Sequence, residues 1–426
     1  MCNLSQALVD QGFQQGILQG EEKCVQLLKK LYALGREEDV IRVLYDQKYR
    51  NALMEELICP TMYQDSRIYR IFIINPGSTS TKLSLFENEK NLFTTDVFHD
   101  SSVLKQFPTI NDQLDYRMDV VWKFLKDNQI DLTGIDAIVG RGGGCCPVPS
   151  GIYRINEHLI EDTKAARGGV FHASMLGVQM AQIVRQHYGG QMFMMDPPVV
   201  DELCDLARVT GVDGICRKAG THALNLKATA RRHASVMGRR YEDCNFIVCH
   251  IDGGISISAH RKGQMIDANN AGGGEGPFTP TRMGSMAVTD LLAHFGPGDL
   301  EKLKSLCSQT GGLGSYFGTS SSDAVHRMVE EGDPRATLVW KAMVYQIIKW
   351  IGAMSTVLKG QVDGILLTGG LMRFADVEEQ IRESCQWIAP VTVYPGEFEQ
   401  EAMAQGALRI LRGEEKLLEY PGPGNE

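Results

Sequence analysis

Apolar positions change their rhythm along this chain. Up to residue 61 they recur at helical spacing, as Val25, Leu27, Leu28, Leu31 and Leu34, then beyond Gly35 as Val40, Ile41, Val43, Leu44, Leu53, Met54 and Leu57. That pattern predicts two or three helices with charged outer faces. Gly12, Gly16 and Gly20 precede them in a Gln-rich stretch, a weak sign of close helix approach, and Cys59-Pro60 closes the segment, because the residue before a proline is steered away from helix. From residue 69 the apolar runs shorten. Tyr69 to Ile74 reads as a buried strand entering the loop Asn75-Pro-Gly-Ser-Thr-Ser80, and Lys82 to Phe86 alternates as a second strand that Asn88 to Asn91 turns into a third. Ile135–Val139, Met192–Met195 and Val362–Leu367 are further strands, Met175–His187 is a helix, and Asp333-Pro334 caps a long helix through Leu358. Such alternation predicts an α/β protein.

One stretch repeats another. Phe246 to His250 runs into Asp252-Gly-Gly254, then Ile255 to His260, a Lys262-Gly263 turn, and Met265-Ile266. Strand, small-residue loop, strand, turn, strand is also the order from residue 69, which suggests a duplicated domain; common β-hairpins are the rival account. Glycines cluster at 142–144, 253–254, 272–276, 311–314 and 369–370, several of them just past predicted strands. In open α/β sheets, ligands bind beyond those ends, so a nucleotide between two halves is expected.

Composition narrows the classes. The 426 residues are 43% hydrophobic and carry 43 basic against 52 acidic side chains, a net charge of −9, with no basic stripe of the kind nucleic acid requires. No apolar run approaches a membrane span and the N-terminus lacks a signal peptide's blocks, so the expected address is cytoplasmic. Eleven scattered cysteines suit a reducing compartment, and none has zinc-site spacing; Cys249-His250 as a metal pair is outweighed by a buried structural role.

The loop from Asn75 to Lys82 gathers a glycine, four hydroxyls and a cation, a set able to donate to phosphate oxygens, although it is no Walker loop. Four polar residues occupy similar places. Arg141 follows a strand and precedes three glycines, Arg282 lies in Thr279-Pro-Thr-Arg-Met-Gly284, Asp196 ends a strand, and His222 follows Gly220-Thr221. Arginine offers a planar fork for carboxylate or phosphoryl oxygens, and Asp196 could hold Mg2+ through water. Taken singly, each is better explained as a surface salt bridge or a satisfied core histidine.

Together these motifs carry a family resemblance. Asn75-Pro-Gly-Ser-Thr-Ser-Thr-Lys82, Val139-Gly-Arg-Gly-Gly143, Asp196-Pro-Pro-Val-Val-Asp-Glu202, His222-Ala-Leu-Asn225, Gly253-Gly-Ile-Ser256, Leu367-Thr-Gly-Gly370 and Tyr394-Pro-Gly-Glu397 resemble, in order, the butyrate kinases of the acetokinase family, over about residues 68–414. The resemblance implies two duplicated ribonuclease H-like (actin-like ATPase) domains with mixed sheets around an ATP cleft. Residues 67–198 with 400–414 would form the first kinase domain and 199–399 the second, residues 1–61 being a helical extension outside the fold (a fused fragment, or an early start codon ahead of Met62). It further implies ATP/ADP and Mg2+ as cofactors, butyrate or butyryl phosphate as substrate, and a homodimer or larger homo-oligomer. Arg141 and Arg282 would clamp the carboxylate and phosphoryl oxygens, and His222 would donate to the phosphoryl group. Asn75, Ser78, Ser80 and Lys82 would line the phosphate path, Gly253, Gly254, Gly318, Thr319, Gly369 and Gly370 would hold nucleotide, and Asp196, Asn75 and Glu401 (Glu399 as the alternative) would lie near the metal. Asp252 stands where the family usually has glycine, and its carboxylate is expected to repel ATP. Rival readings are an acetate, propionate or branched-chain carboxylate kinase, and a nucleotide-binding homologue weakened through Asp252.

Overall fold

The computed structural model describes residues 67–422 except residue 170, and parts of residues 22–53. It divides into two units, Met1–Ile68 and Tyr69–Glu426. In the first, helix α1 (Glu22–Ala33) contributes Leu27, Leu28 and Leu31 to a small core shared with Val40, Val43 and Leu53. Its helical spacing is therefore used as the sequence predicts. The glycines at 12, 16 and 20, the Cys59-Pro60 break and Met62 lie outside the described residues.

The second unit is built on two mixed sheets. The first contains β1 (Arg70–Pro76), β2 (Ser80–Glu87), β3 (Lys90–Phe98), β4 (Ala137–Gly140), β5 (Ile152–Arg154), β6 (Gln191–Met195) and the terminal strand Leu418–Glu419. β1, β2 and β3 form an antiparallel meander, while β4 lies parallel to β1 and β6 parallel to β4. The second sheet contains β7 (Asn245–Ile251), β8 (Ile255–Arg261), β9 (Gln264–Ala268), β10 (Gly364–Gly369) and β11 (Val391–Pro395). Again three strands form an antiparallel meander, β10 runs parallel to β7, and β11 parallel to β10. The order β3-β2-β1-β4-β6 thus matches β9-β8-β7-β10-β11 strand for strand. The duplication suggested by two hairpins extends to whole sheets.

Both sheets are covered on two faces, which explains continuous apolar strands where one-sided sheets would alternate. In β1, Phe72 and Ile74 enter one core while Ile71 and Ile73 enter the opposite one. In β7, Ile247, Cys249 and Ile251 face one core and Phe246 and Val248 the other. Each large side chain buried this way contributes about 1.5–3 kcal/mol. Helix α2 (Leu176–Tyr188) packs on β4, β1 and β6; α3 (Ala223–Val236) packs on β7 and β10; α4 (Pro334–Val357) packs on β8. The start of α4 is as predicted: Pro334 takes the first turn and Asp333 accepts from the Ala336 N–H at 2.9 Å. The last helix, α5 (Glu399–Leu411), returns to β1, β4 and β6, and also touches α3. Strand ends and glycine loops of both sheets therefore meet at one cleft, with the first turn of α5 beside it.

The cysteines whose side chains are described are free, and among the described residues no helix is long and apolar enough to cross a membrane.

Candidate active site

Arg141 is placed by the end of β4, where its N–H extends the ladder to Ile74 O at 2.9 Å. The glycines after it are needed for close approach: a Cβ on Gly142 would lie 2.2 Å from Met194 Sδ, and one on Gly143 2.5 Å from Ser174 Oγ. The guanidinium is buried. One nitrogen donates to Asp196 O at 3.1 Å and another to Glu399 Oε1 at 3.1 Å. Glu399 Oε2 in turn accepts from Asn75 Nδ2 at 2.8 Å. Arg141, Glu399 and Asn75 thus form a continuous chain, although they come from the ends of β4, α5 and β1. Lys82 is directly opposite Asn75 in the β1–β2 register, so both side chains share one face of the hairpin.

Two expectations need correction here. Glu401 is exposed, whereas Glu399 bonds Asn75 and Arg141, so the alternative acidic residue is the one at the site. The Asp196 carboxylate faces no open space: it is fully buried, and accepts from Ser150 Oγ at 2.6 Å, Gly151 N at 2.9 Å and Arg231 at 3.1 Å. Although burial opposes its ionisation, Arg231, Lys227 and the Ser150 bond hold its acid below the usual value. Its backbone, at φ +37°, instead presents a carbonyl to Arg141. The Asp196 carboxylate is thus fully engaged, whereas Glu399 keeps its bonds to Asn75 and Arg141.

The second half of the site hangs from the β7–β8 turn. Thr279 and Thr281 hydroxyls donate to Gly253 O at 2.6 and 2.7 Å, and Thr279 Oγ1 accepts from the Arg282 N–H at 3.0 Å. This clip lays the Arg282 guanidinium against Gly254, where a Cβ would fall 2.5 Å from Nη1. Arg282 Nε is buried without an acceptor among the described residues. His222, just before α3, bonds Ser256 Oγ through Nδ1 at 2.8 Å and stacks on His250 with centroids 4.0 Å apart. Desolvation in the cleft, then the charges of His250, Arg282 and Arg141, hold His222 well below the ordinary imidazole value. Both arginines therefore act on the same imidazole, which is neutral at physiological pH.

His250 was passed over by sequence reasoning as a core residue. Its only signal was a place at a strand end just before Asp252-Gly253-Gly254. The Phe398 N–H donates to Asn225 Oδ1 at 3.1 Å, so the Asn225 amide nitrogen faces His250 Nδ1 at 2.9 Å and Thr368 Oγ1 at 3.3 Å. Nδ1 is then an acceptor, and the proton sits on Nε2, which points to Glu397 Oε1 at 3.9 Å. Glu397 is 40% exposed; desolvation, then Glu399 and Asp252, push its acid up to about 7 against Lys82 and Arg141.

Asp252 bridges two glycine loops. One oxygen accepts from Gly253 N and the other from Gly370 N, both at 2.7 Å. Gly369, at φ +103°, lies so close to Ile251 that a Cβ would fall 2.4 Å from its carbonyl oxygen. Gly318 ends a short helix at φ +70°, and Thr319 Oγ1 accepts from the N–H of Ser321, the residue that caps Ser322–Glu330. That helix is tied to the segment after Gly370 by the Arg373–Asp323 pair at 2.9 Å, but neither Gly318 nor Thr319 bonds the cluster itself. Ser78 reaches His172 at 3.5 Å, while Ser80 turns to Asp96 at 3.4 Å, away from the Asn75 chain. His172, which the sequence reading also missed, feels the charges of Arg141 and Arg282.

Chemically, the cleft offers two guanidinium forks and two neutral imidazoles, with the carboxylates of Asp252, Glu397 and Glu399 beside them. It is suited to holding and moving an anionic group.

Residues 206–389 match the model of the acetokinase family. Two curated relatives described as probable butyrate kinase, from Clostridium botulinum strains Alaska E43 and Eklund 17B, are each 44% identical over 354 residues, covering 83% of this chain and 99% of theirs. Among solved structures, Porphyromonas gingivalis acetate kinase matches with a TM-score of 0.64 at 17% identity, over 80% of this chain and 100% of that one. A propionate kinase from Francisella tularensis matches with a TM-score of 0.63 at 16% identity, over 80% and 99%.

Proposed function

We propose, from the premise that this chain belongs to the acetokinase family and is a phosphotransferase acting on a short-chain carboxylate, that it interconverts ATP and butyrate with ADP and butyryl phosphate. The observation that carries this reading is the convergence of Arg141, Arg282 and His222 at the cleft between two duplicated sheets. A carboxylate oxygen attacks the terminal phosphorus, the bond to the bridging oxygen breaks, and its electron pair leaves with ADP. The nucleophile is already ionised at neutral pH, so no general base is required. What remains is positioning and charge stabilisation.

Arg282, with an unpartnered Nε, donates to the transferring phosphoryl oxygens. Arg141, steadied by Asp196 O and Glu399, holds the substrate carboxylate. His222, neutral and anchored through Nδ1, presents its other nitrogen as an N–H donor, so it stabilises growing negative charge without transferring a proton. Asn75 and Glu399 supply hard oxygen donors that fit Mg2+, whereas the Asp196 carboxylate does not. When bound, that ion neutralises charge on the phosphoryl oxygens. Residues 67–198 with 400–414 form one lobe and 199–399 the other, consistent with α5 packing on the first sheet; their closure excludes water, which otherwise competes for the phosphoryl group. The same reading places the enzyme in the cytoplasm as a homodimer or larger assembly.

The test is a hydroxylamine trap of acyl phosphate with ATP, Mg2+ and a series of carboxylates. Butyrate is expected among the best acids, with neighbours accepted at reduced efficiency, since one methylene is worth about 1–3 kcal/mol. A maximum at acetate or at a branched acid would reassign the substrate. Silence with every acid despite nucleotide binding would favour a non-catalytic homologue.

A further inference from the structure

We propose that Asp252 and Glu397 form a hard divalent-cation site at the rim of the cleft, with His250 serving as the N–H donor that orients Glu397 and not as a ligand. The site is argued from these residues alone and stands whether or not butyrate is the substrate.

Ligand atoms of His250, Asp252 and Glu397 all lie within 4.8 Å of one another. Asp252 cannot swing away, because Gly253 N–H and Gly370 N–H fix one oxygen each. Each oxygen retains a second lone pair, so the anchored carboxylate can still coordinate. Glu397 completes the pair from the segment between β11 and α5. Its neighbours Asp252 and Glu399 crowd it with like charge, while Arg141 is engaged with Glu399. Two carboxylate groups held this way lack a direct cationic partner among the described residues.

His250 supplies the independent sign of a ligand. The residue is 1% exposed, and its Nε2 has no acceptor within hydrogen-bond distance among the described residues, Glu397 Oε1 being 3.9 Å off. An N–H on a buried residue, aimed at a carboxylate but falling short of it, is satisfied once Glu397 draws inward or a coordinated water fills the gap. The histidine itself is a poor ligand. Asn225 donates to Nδ1, which keeps the proton on Nε2, the nitrogen facing the cluster. Metal-binding histidines have the opposite arrangement, donating through the remote nitrogen. Oxygen donors alone select Mg2+ or Mn2+ over zinc or copper.

The experiment is a Mn2+ titration of the full-length, nucleotide-free protein, following loss of the free-ion signal by electron paramagnetic resonance. The unmodified protein is expected to bind the ion at sub-millimolar concentration, and Asp252→Asn and Glu397→Gln are each expected to weaken binding at least tenfold, with melting temperature confirming that both fold. Spin-echo spectra should show no directly coordinated nitrogen. No binding up to 1 mM, or binding unaltered in Asp252→Asn but lost in Glu399→Gln, would overturn the site. A strong directly bound nitrogen coupling would overturn the role given to His250. Acyl phosphate formation is measured separately, so a failure of the reaction and a failure of the cation site are told apart.

Discussion

Arg282 has the property that matters most at the scale of single residues: a guanidinium pressed on a glycine, with its Nε unpartnered. A lysine there keeps the charge but loses the planar fork. Arg282→Lys is expected to lower kcat/KM by at least a hundredfold, about 3 kcal/mol of transition-state stabilisation, with ADP affinity changed little; stopped assays with parallel calorimetry check it. His222 leads to a pH prediction. Because its folded value lies well below the imidazole norm, it is neutral from pH 6 to 8, and kcat should show no inflection near 6.5 attributable to it. An inflection there that disappears in His222→Asn would contradict the donor role. Asp252 holds the Gly253 and Gly370 N–H groups that a phosphate would otherwise meet. In EDTA, where no cation offsets its charge, Asp252→Gly should bind ADP more tightly than the unmodified protein, as read by calorimetry. Residues of this kind were legible in the sequence where chemistry sat beside a strand end and glycines, as for Arg141, Arg282 and His222. The buried state of the Asp196 carboxylate was not, because its partners Ser150 and Arg231 come from distant segments that no local pattern connects. Glu399 and Glu401 differ only by where α5 begins, a boundary that a loop of uncertain length leaves open.

At the scale of elements, the strands were readable because both faces of each central strand are buried, which gives continuous apolar runs bounded by glycine loops. The hairpin echo was readable for the same reason. Its extension to β4 and β10, which makes the sheets true counterparts, depends on pairing across long separations and left only the glycines after each strand as a trace. One contact between elements controls the site. At Gly177 in α2, a Cβ would fall 2.3 Å from Arg141 O, and at Gly140 one would fall 2.3 Å from Gly177 O. Helix and strand touch backbone to backbone directly under Arg141. Gly177→Ala must therefore push α2 off β4, and is expected to cost about 1–3 kcal/mol of stability in urea unfolding and to reduce turnover more than nucleotide affinity. Unchanged stability and turnover would show that the contact is slack.

Across the whole molecule, the unit Tyr69–Glu426 contains both sheets and every residue assigned to the chemistry. The probable butyrate kinases match over 99% of their own length while covering 83% of this chain. Removal of residues 1–61 is accordingly expected to leave turnover and melting behaviour of the remainder intact, and loss of either would assign that segment a part in the enzyme. The central claim is that two arginines and a neutral imidazole stabilise direct transfer of a phosphoryl group to a carboxylate. Phosphorus-31 NMR of the purified protein with ATP, Mg2+ and butyrate tests it most directly. The account predicts an acyl phosphate resonance that grows with ADP, requires the acid, and is lost in Arg282→Lys. ADP and inorganic phosphate appearing at the same rate with and without butyrate would contradict it.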